Sequence, residues 1–129
     1  MFLQYYVTES TTGNRVNIEI NAATKTDLDA TRNGWQTVWN TDFILDPQKE
    51  KYAAKTEDGE IIALGAYRVR KGSVAVYIAY IESQPESNPT LVEHKKYSGI
   101  GKAMIAFGIQ LSMDASCNGV VVFEAKTDD

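Results

Sequence analysis

A single cysteine, Cys117, and a single histidine, His94, deny this chain an intramolecular disulfide and a Cys/His cluster with metal-ligand spacing. Structural zinc is not expected. Cys117 sits near the end of an apolar helical pattern with no His/Asn signal beside it, so it reads as a packed thiol before it reads as a nucleophile. No stretch approaches the roughly 20 apolar residues of a membrane span. The start, Met1-Phe2-Leu3-Gln4-Tyr5-Tyr6, also lacks the basic region and long apolar run of a secretion leader. The expectation is a soluble, cytoplasmic protein with no membrane partner. Positive charge is scarce too: the net charge is -4 and the longest basic run is His94-Lys95-Lys96, which argues against nucleic acid as the main partner. There is no internal repeat, low-complexity tract or linker-like shift in composition, and 129 residues suit one domain.

What is present is a regular alternation of apolar segments and turn signals. Residues 2–8 and 16–21 are rich in aromatic and branched side chains and flank Ser10-Thr11-Thr12-Gly13-Asn14, which predicts a hairpin. Thr24-Lys25-Thr26-Asp27 offers caps for a helix through Leu28 and Ala30 to a stop at Asn33-Gly34. Trp35, Val38 and Trp39 then mark a second amphipathic segment with helical spacing. Residues 51–56 and 60–70 flank Glu57-Asp58-Gly59, where Asp-Gly supplies the positive φ angles of a tight hairpin. Lys71-Gly72 turns into residues 74–81, whose nearly unbroken apolar character suits a central strand covered on both faces. Residues 83–96 read as a loop. From Gly101 the residues Met104, Ile105, Gly108, Leu111 and Ala115 recur at helical spacing until Asn118-Gly119, and residues 120–123 predict another buried strand. The predicted fold class is α+β: a central antiparallel meander, then a strand-loop-helix-strand crossover that sets residues 120–123 parallel to 74–81, with helices on both faces.

The most informative segment is the loop ending in Ser98-Gly99-Ile100-Gly101 with a helix directly after it. Unpaired amides and the helix dipole at such a start suit phosphate, and glycine lets phosphate approach the main chain. Lys96 and Lys102 bracket the turn as candidate counter-charges or as plain surface lysines. A Walker loop is excluded, because Gly101-Lys102-Ala103 lacks the hydroxyl that would hold magnesium. A dinucleotide fingerprint is excluded as well, because Gly99-Ile100-Gly101-Lys102-Ala103-Met104 comes late in the chain and lacks the third glycine.

Lys96-Tyr97-Ser98-Gly99-Ile100-Gly101 resembles the Arg/Gln-x-x-Gly-x-Gly/Ala signature of the GNAT superfamily of acyl-CoA-dependent N-acyltransferases, with Lys in place of Arg/Gln at the first position. The likeness extends to Tyr80-Ile81-Glu82-Ser83-Gln84-Pro85, similar to the end of the family's fourth strand. It also takes in Val121-Val122-Phe123-Glu124-Ala125-Lys126-Thr127, similar to its fifth. The match is good from about Lys51 onward; the N-terminal third matches in element order, and Asn33-Gly34-Trp35 is similar to some small bacterial members. The resemblance implies acetyl-CoA as co-substrate and an opening between two splayed parallel strands. Its diphosphate would lie on Lys96, Tyr97, Ser98, Gly99, Ile100, Gly101 and Lys102, and its pantetheine along the main chain of Ile81, Glu82 and Ser83. A small-molecule or peptide amine would enter from the side of Trp35 and Trp39, which read either as a lid or as core residues.

For the chemistry, Glu82 is the best candidate for a general base, since it ends the strand where the acetyl group would sit; otherwise it is the solvated first residue of a loop. Tyr80, Ser83 and Glu124 are weaker candidates, because strand alternation alone does not say which face each occupies. No metal is required. Against full-length family members the sequence lacks the last helix and two strands, and an apolar strand at 120–123 left as an edge would be covered by pairing, so a homodimer is expected. Three functions follow as alternatives. The first is an N-acetyltransferase acting on an amine, the second a catalytically weak CoA-binding or regulatory module, and the third a structural domain with no nucleotide ligand.

Overall fold

The local signals near the N-terminus produce the elements they predict. A computed structural model describes residues 4–32, 34–37, 39 and 49–124. Strands β1 (Tyr5–Glu9) and β2 (Arg15–Ala22) pair antiparallel, with Tyr5 opposite Ile18, and the turn closes through Gly13 N–H donating to Glu9 O at 2.8 Å. Phe2 and Leu3 of the expected first strand lie outside the described residues. Helix α1 (Lys25–Asp29) opens on a capping box in which the Thr24 hydroxyl accepts from Asp27 N–H and the Asp27 carboxylate accepts from Thr24 N–H. It is shorter than expected and passes into a 3-10 turn, Ala30–Arg32.

Strands β3 (Lys49–Thr56), β4 (Ile61–Arg68) and β5 (Val76–Ser83) form the predicted antiparallel meander. Only Gly59 of the Asp-Gly pair takes a positive φ, so the β3–β4 connection is a hairpin with an αL glycine rather than the two-residue mirror turn. A two-residue strand, β6 (Tyr97–Ser98), precedes helix α2 (Ile100–Asp114), and β7 (Val121–Phe123) follows it. The seven described strands lie in one mixed sheet in the order β6-β1-β2-β3-β4-β5-β7, and only β5 and β7 are parallel.

Strand alternation divides the sheet into two faces. On one, Ala54, Ile62 and Ala63 meet Ile100, Ala103 and Met104 of α2, and Tyr67 and Ile78 continue the layer. The rings of Tyr52, Tyr67 and Phe107 meet edge-on there, at 4.7–5.8 Å between centroids. On the other face, Ala53, Leu64 and Ala66 pack against Leu28 of α1 and against Trp39. Strand β4 is sandwiched between these layers, which is why it is apolar almost throughout.

Three expectations need correction. Trp35 and Trp39 do not sit on a helix: Gly34 and Trp39 lie in turns, Gln36 and Thr37 in a bend, Trp35 in irregular backbone, and Val38 lies outside the described residues. Helix α2 stops at Asp114, before Asn118-Gly119, because Ser116 already takes the left-handed conformation, at φ 62°, and its N–H folds back to Met113 O at 3.2 Å. Gly72 N–H donates to Ala115 O at 2.7 Å, Cys117 N–H to Ser112 O at 2.7 Å, and Cys117 itself is buried. Strand β7 is not buried. Val122 and Phe123 are 42% and 58% exposed, since β5 is its only described neighbour in the sheet. Among the described residues no helix is long and apolar enough to cross a membrane.

Candidate functional site

The glycine loop alternates between residues driven into the core and residues held out of it. Tyr97 and Ile100 are buried in the α2-side cluster with Val7, Ala103 and Met104, whereas Ser98, Gly99, Gly101 and Lys102 are exposed. The sequence read the whole segment as loop, yet Ser98 and Tyr97 pair with Thr8 and Glu9 of β1. Further ties come from Lys96 N–H to Glu86 O at 2.9 Å, Tyr97 N–H to the Ser87 hydroxyl at 3.0 Å and Ser10 N–H to Lys96 O at 3.0 Å. The main chain of the loop is therefore fixed before anything binds.

Gly99 caps α2 in the left-handed conformation, at φ 90°, and its carbonyl accepts the first helical bond from Ala103 N–H at 3.1 Å. The N–H groups of Ile100, Gly101 and Lys102 precede that bond and have no carbonyl to meet within the helix. No acidic residue stands in this first turn. The two glycines differ in cause. Gly99 is required by its positive φ, but Gly101 is helical, and a Cβ there would meet nothing within 4 Å. Glycine inside a helix costs about 1 kcal/mol relative to alanine. Gly101 stands in the first turn, where no described residue packs on it, and its missing side chain leaves open space beside the helix start.

The two lysines are treated differently. Lys96 Nζ lies 2.8 Å from Glu60 Oε2, and that bond holds its pKa above the usual lysine value. Glu60 also accepts from Tyr97 OH at 3.0 Å and from Gln84 Nε2 at 3.0 Å, so the β3–β4 turn clamps the base of the loop. Lys102 is exposed on the first turn of α2. Sequence reasoning missed Glu60, Gln84 and Ser87, which share no local pattern with the loop and come to it only through the sheet.

In the middle of β5 the pairing with β4 steps from Ala66–Tyr80 to Tyr67–Ile78, leaving Ala79 as an extra residue. Strand β7 pairs with β5 only over Val76–Ile78, where Glu124 N–H donates to Ile78 O at 3.0 Å. Gln84 N–H donates across to Ile62 O of β4, at 2.8 Å. Counting back by alternation, the main-chain groups of Glu82 also face β4, and those of Ile81 and Ser83 face the side on which β7 lies. The bulge at Ala79 is what reverses the parity after Ile78. Ile81 packs on the cluster that contains Tyr97 and Ile100, so the open edge of β5 and the glycine loop share one neighbourhood.

Glu82 stands at the end of β5, as expected, but is not solvated. It is the seventh residue of β5 and 4% exposed. Its carboxylate accepts Gln36 N–H at 2.7 Å, Thr37 N–H at 3.3 Å and the Trp39 indole N–H at 2.8 Å. The alternative of a loop residue is thus excluded, and a role as base would require the carboxylate to release one of these donors. Two of the weaker candidates are also engaged: the Tyr80 hydroxyl accepts from Thr37 Oγ1 at 2.8 Å, and Glu124 pairs with Arg68 at 2.6 Å; Ser83 is the half-buried last residue of β5. Trp39 is fully buried against Tyr80, a core residue rather than a lid, and Trp35 is half-buried. Among the described residues no group of His, Cys, Asp and Glu is arranged to hold a metal ion.

No family model and no curated protein matches this chain.

Proposed function

We propose that this chain is a CoA-binding domain of the acyltransferase type, resembling the GNAT superfamily, that transfers an acetyl group from acetyl-CoA to an amine. The observation that supports it most directly is the pairing of an outward-facing β5 edge at Ile81 and Ser83 with a helix start whose Gly101 leaves open space beside unpaired amides. In this reading Ile100, Gly101 and Lys102 N–H groups receive the diphosphate, the Lys102 ammonium adds charge, and the main chain of Ile81 and Ser83 pairs with the pantetheine amides. Acetyl-CoA supplies the activated acyl group. Glu82 holds Gln36, Thr37 and Trp39 as a wall beside the end of β5, and its part in catalysis is to position that wall. Lys96 contributes through Glu60, by fixing the loop.

The engaged carboxylate favours a second reading, a CoA-binding module with weak turnover. Calorimetry with acetyl-CoA tests both. Binding is expected, and Gly101→Asp, which sets a carboxylate where the diphosphate would rest, should weaken it at least about tenfold while leaving the melting temperature within a few degrees. Unchanged binding in that variant removes the loop from the proposal. Thiol release with a panel of amines then separates the enzyme from the module. We also propose that the exposed apolar β7 edge is covered by a second copy of the chain, to be checked by light scattering.

A further inference from the structure

Strand β6 covers the outer edge of β1 for two residues only. Glu9 N–H donates to Asn14 O on the β2 side and Ser10 N–H to Lys96 O on the β6 side. By alternation the main-chain groups of Thr8, Tyr6 and Gln4 also face outward. Ser98 pairs with Thr8, but the chain then turns at Gly99 into α2 instead of running on as a strand. Among the described residues no main-chain group meets Tyr6 on that edge. The edge opens on a groove of about 510 Å³, within the size range of small-molecule sites. Residues 4–8 form one wall although their side chains alternate between the faces of the sheet, as an opening along the edge allows. Ser98, Gly99, Lys102, Ala103 and Ala106 form the other.

The two ends of the groove differ in chemistry. Near Gly99 lie the N–H groups that precede the first helical bond, and the Lys102 ammonium, which has no ion pair among the described residues. No acidic side chain lines the groove. Ala103 and Ala106 are small and leave this side of α2 flat enough for a ring to lie on. Opposite them Tyr6 offers one N–H and one C=O side by side along the strand edge. Adenine carries the complement of that pair on a single edge, N6–H as donor beside N1 as acceptor.

We propose that this groove takes an adenine nucleotide, with the base on the free main-chain edge of Tyr6 and the phosphates at the start of α2. As a nucleotide site it stands on the groove; as the seat of the adenosine of acetyl-CoA it rests on the acyl-transfer reading. The probe is ADP, titrated by calorimetry into the full chain without an acyl donor. Saturable binding is expected. IDP, the same ring with donor and acceptor exchanged, should bind about tenfold more weakly, and inorganic diphosphate no better than IDP. Ala106→Leu fills the groove away from its phosphate end and should weaken ADP about tenfold while leaving diphosphate unchanged. Tyr6→Pro removes the outward N–H without touching a bond to β2, and should give the same result by an independent route. Melting temperatures within a few degrees of the unaltered chain show that each variant is folded. Absence of saturable ADP binding, equal affinity for IDP or diphosphate, or unchanged ADP affinity in the folded variants overturns the site. Where acetyl-CoA binds and ADP does not, the site is overturned and the acyltransferase reading stands. Displacement of ADP by acetyl-CoA assigns the groove to the adenosine of the co-substrate, and binding of both at once overturns that assignment. ADP binding by a chain that does not bind acetyl-CoA supports the site and removes the other reading.

Discussion

The two faces of the sheet are covered by different means. On the α2 face a fifteen-residue helix satisfies most of its own backbone, and what joins it to the strands is chiefly apolar and aromatic packing, with one hydrogen bond from Tyr67 OH to Met104 O. On the α1 face the cover includes turns and bends whose amides have no helical partner, and the buried Glu82 carboxylate takes two of them together with the Trp39 indole. Regular structure can be packed by hydrophobic burial alone, whereas an irregular cover must find acceptors for its N–H groups inside the sheet. A buried carboxylate near the end of a core strand is the physical signature of that second arrangement.

Substitutions of increasing delicacy test the contrast. Trp39→Ala should be the most damaging, by about 3–5 kcal/mol, since it empties a fully buried site and takes one donor away from the Glu82 carboxylate; denaturant unfolding measures it. Glu82→Gln should cost about 2–3 kcal/mol, because the amide turns one of its ends into a donor facing donors. If Glu82 acts by positioning, acetyl-CoA affinity should hold while turnover and stability fall together. A turnover loss with undiminished stability would instead mark it as a base. Gly65→Ala probes the tight α2 face: its Cβ would come within 2.7 Å of the Tyr67 ring and 2.9 Å of Met104, for a loss of about 2 kcal/mol. Tyr67→Phe removes a single neutral bond, Tyr67 OH to Met104 O at 2.8 Å, and should cost only about 1 kcal/mol. The difference between the Glu82 and Tyr67 variants is a direct measure of how unlike the two covers are.

The smallest effect concerns pH. Burial alone would raise the Asp27 carboxyl, but hydrogen bonds from Lys55 and Thr24 outweigh it and hold the group below the usual carboxylate range. A depressed folded-state pKa stabilises the protein above the unfolded value of about 3.9 and is lost as pH falls through the lower folded value. Thermal melts from neutral pH to about pH 3 should therefore show an acid decline that Asp27→Asn flattens.

The sequence made the glycine loop visible because its signal is local: two glycines at the head of an apolar helical repeat. The hairpins and the capping box at Thr24 were legible for the same reason, since turn and cap chemistry acts over three or four residues. Glu82 was open to two readings, a base at the strand end or a solvated loop residue, because an acid next to a proline-containing loop looks solvated until the segment carrying Trp39, 43 residues earlier, is seen to lie over it. The groove beside β1 had no signature at all. Tyr6 and Ala106 belong to a strand near the start of the chain and a helix near its end, and each alone is an ordinary residue of its element.

What the sequence by itself determined is the two hairpins, the cap at Thr24 and the helix start at Gly99-Ile100-Gly101, properties that depend on a few neighbouring residues. Only the tertiary structure decided where β6 pairs, why β7 is exposed, and which donors Glu82 serves. It also decided that Lys96 turns to Glu60 and that β6 stops short of Tyr6. These are pairings between residues tens of positions apart, and no period or motif encodes them, because hydrogen bonding and burial depend on distance in space and not on separation along the chain.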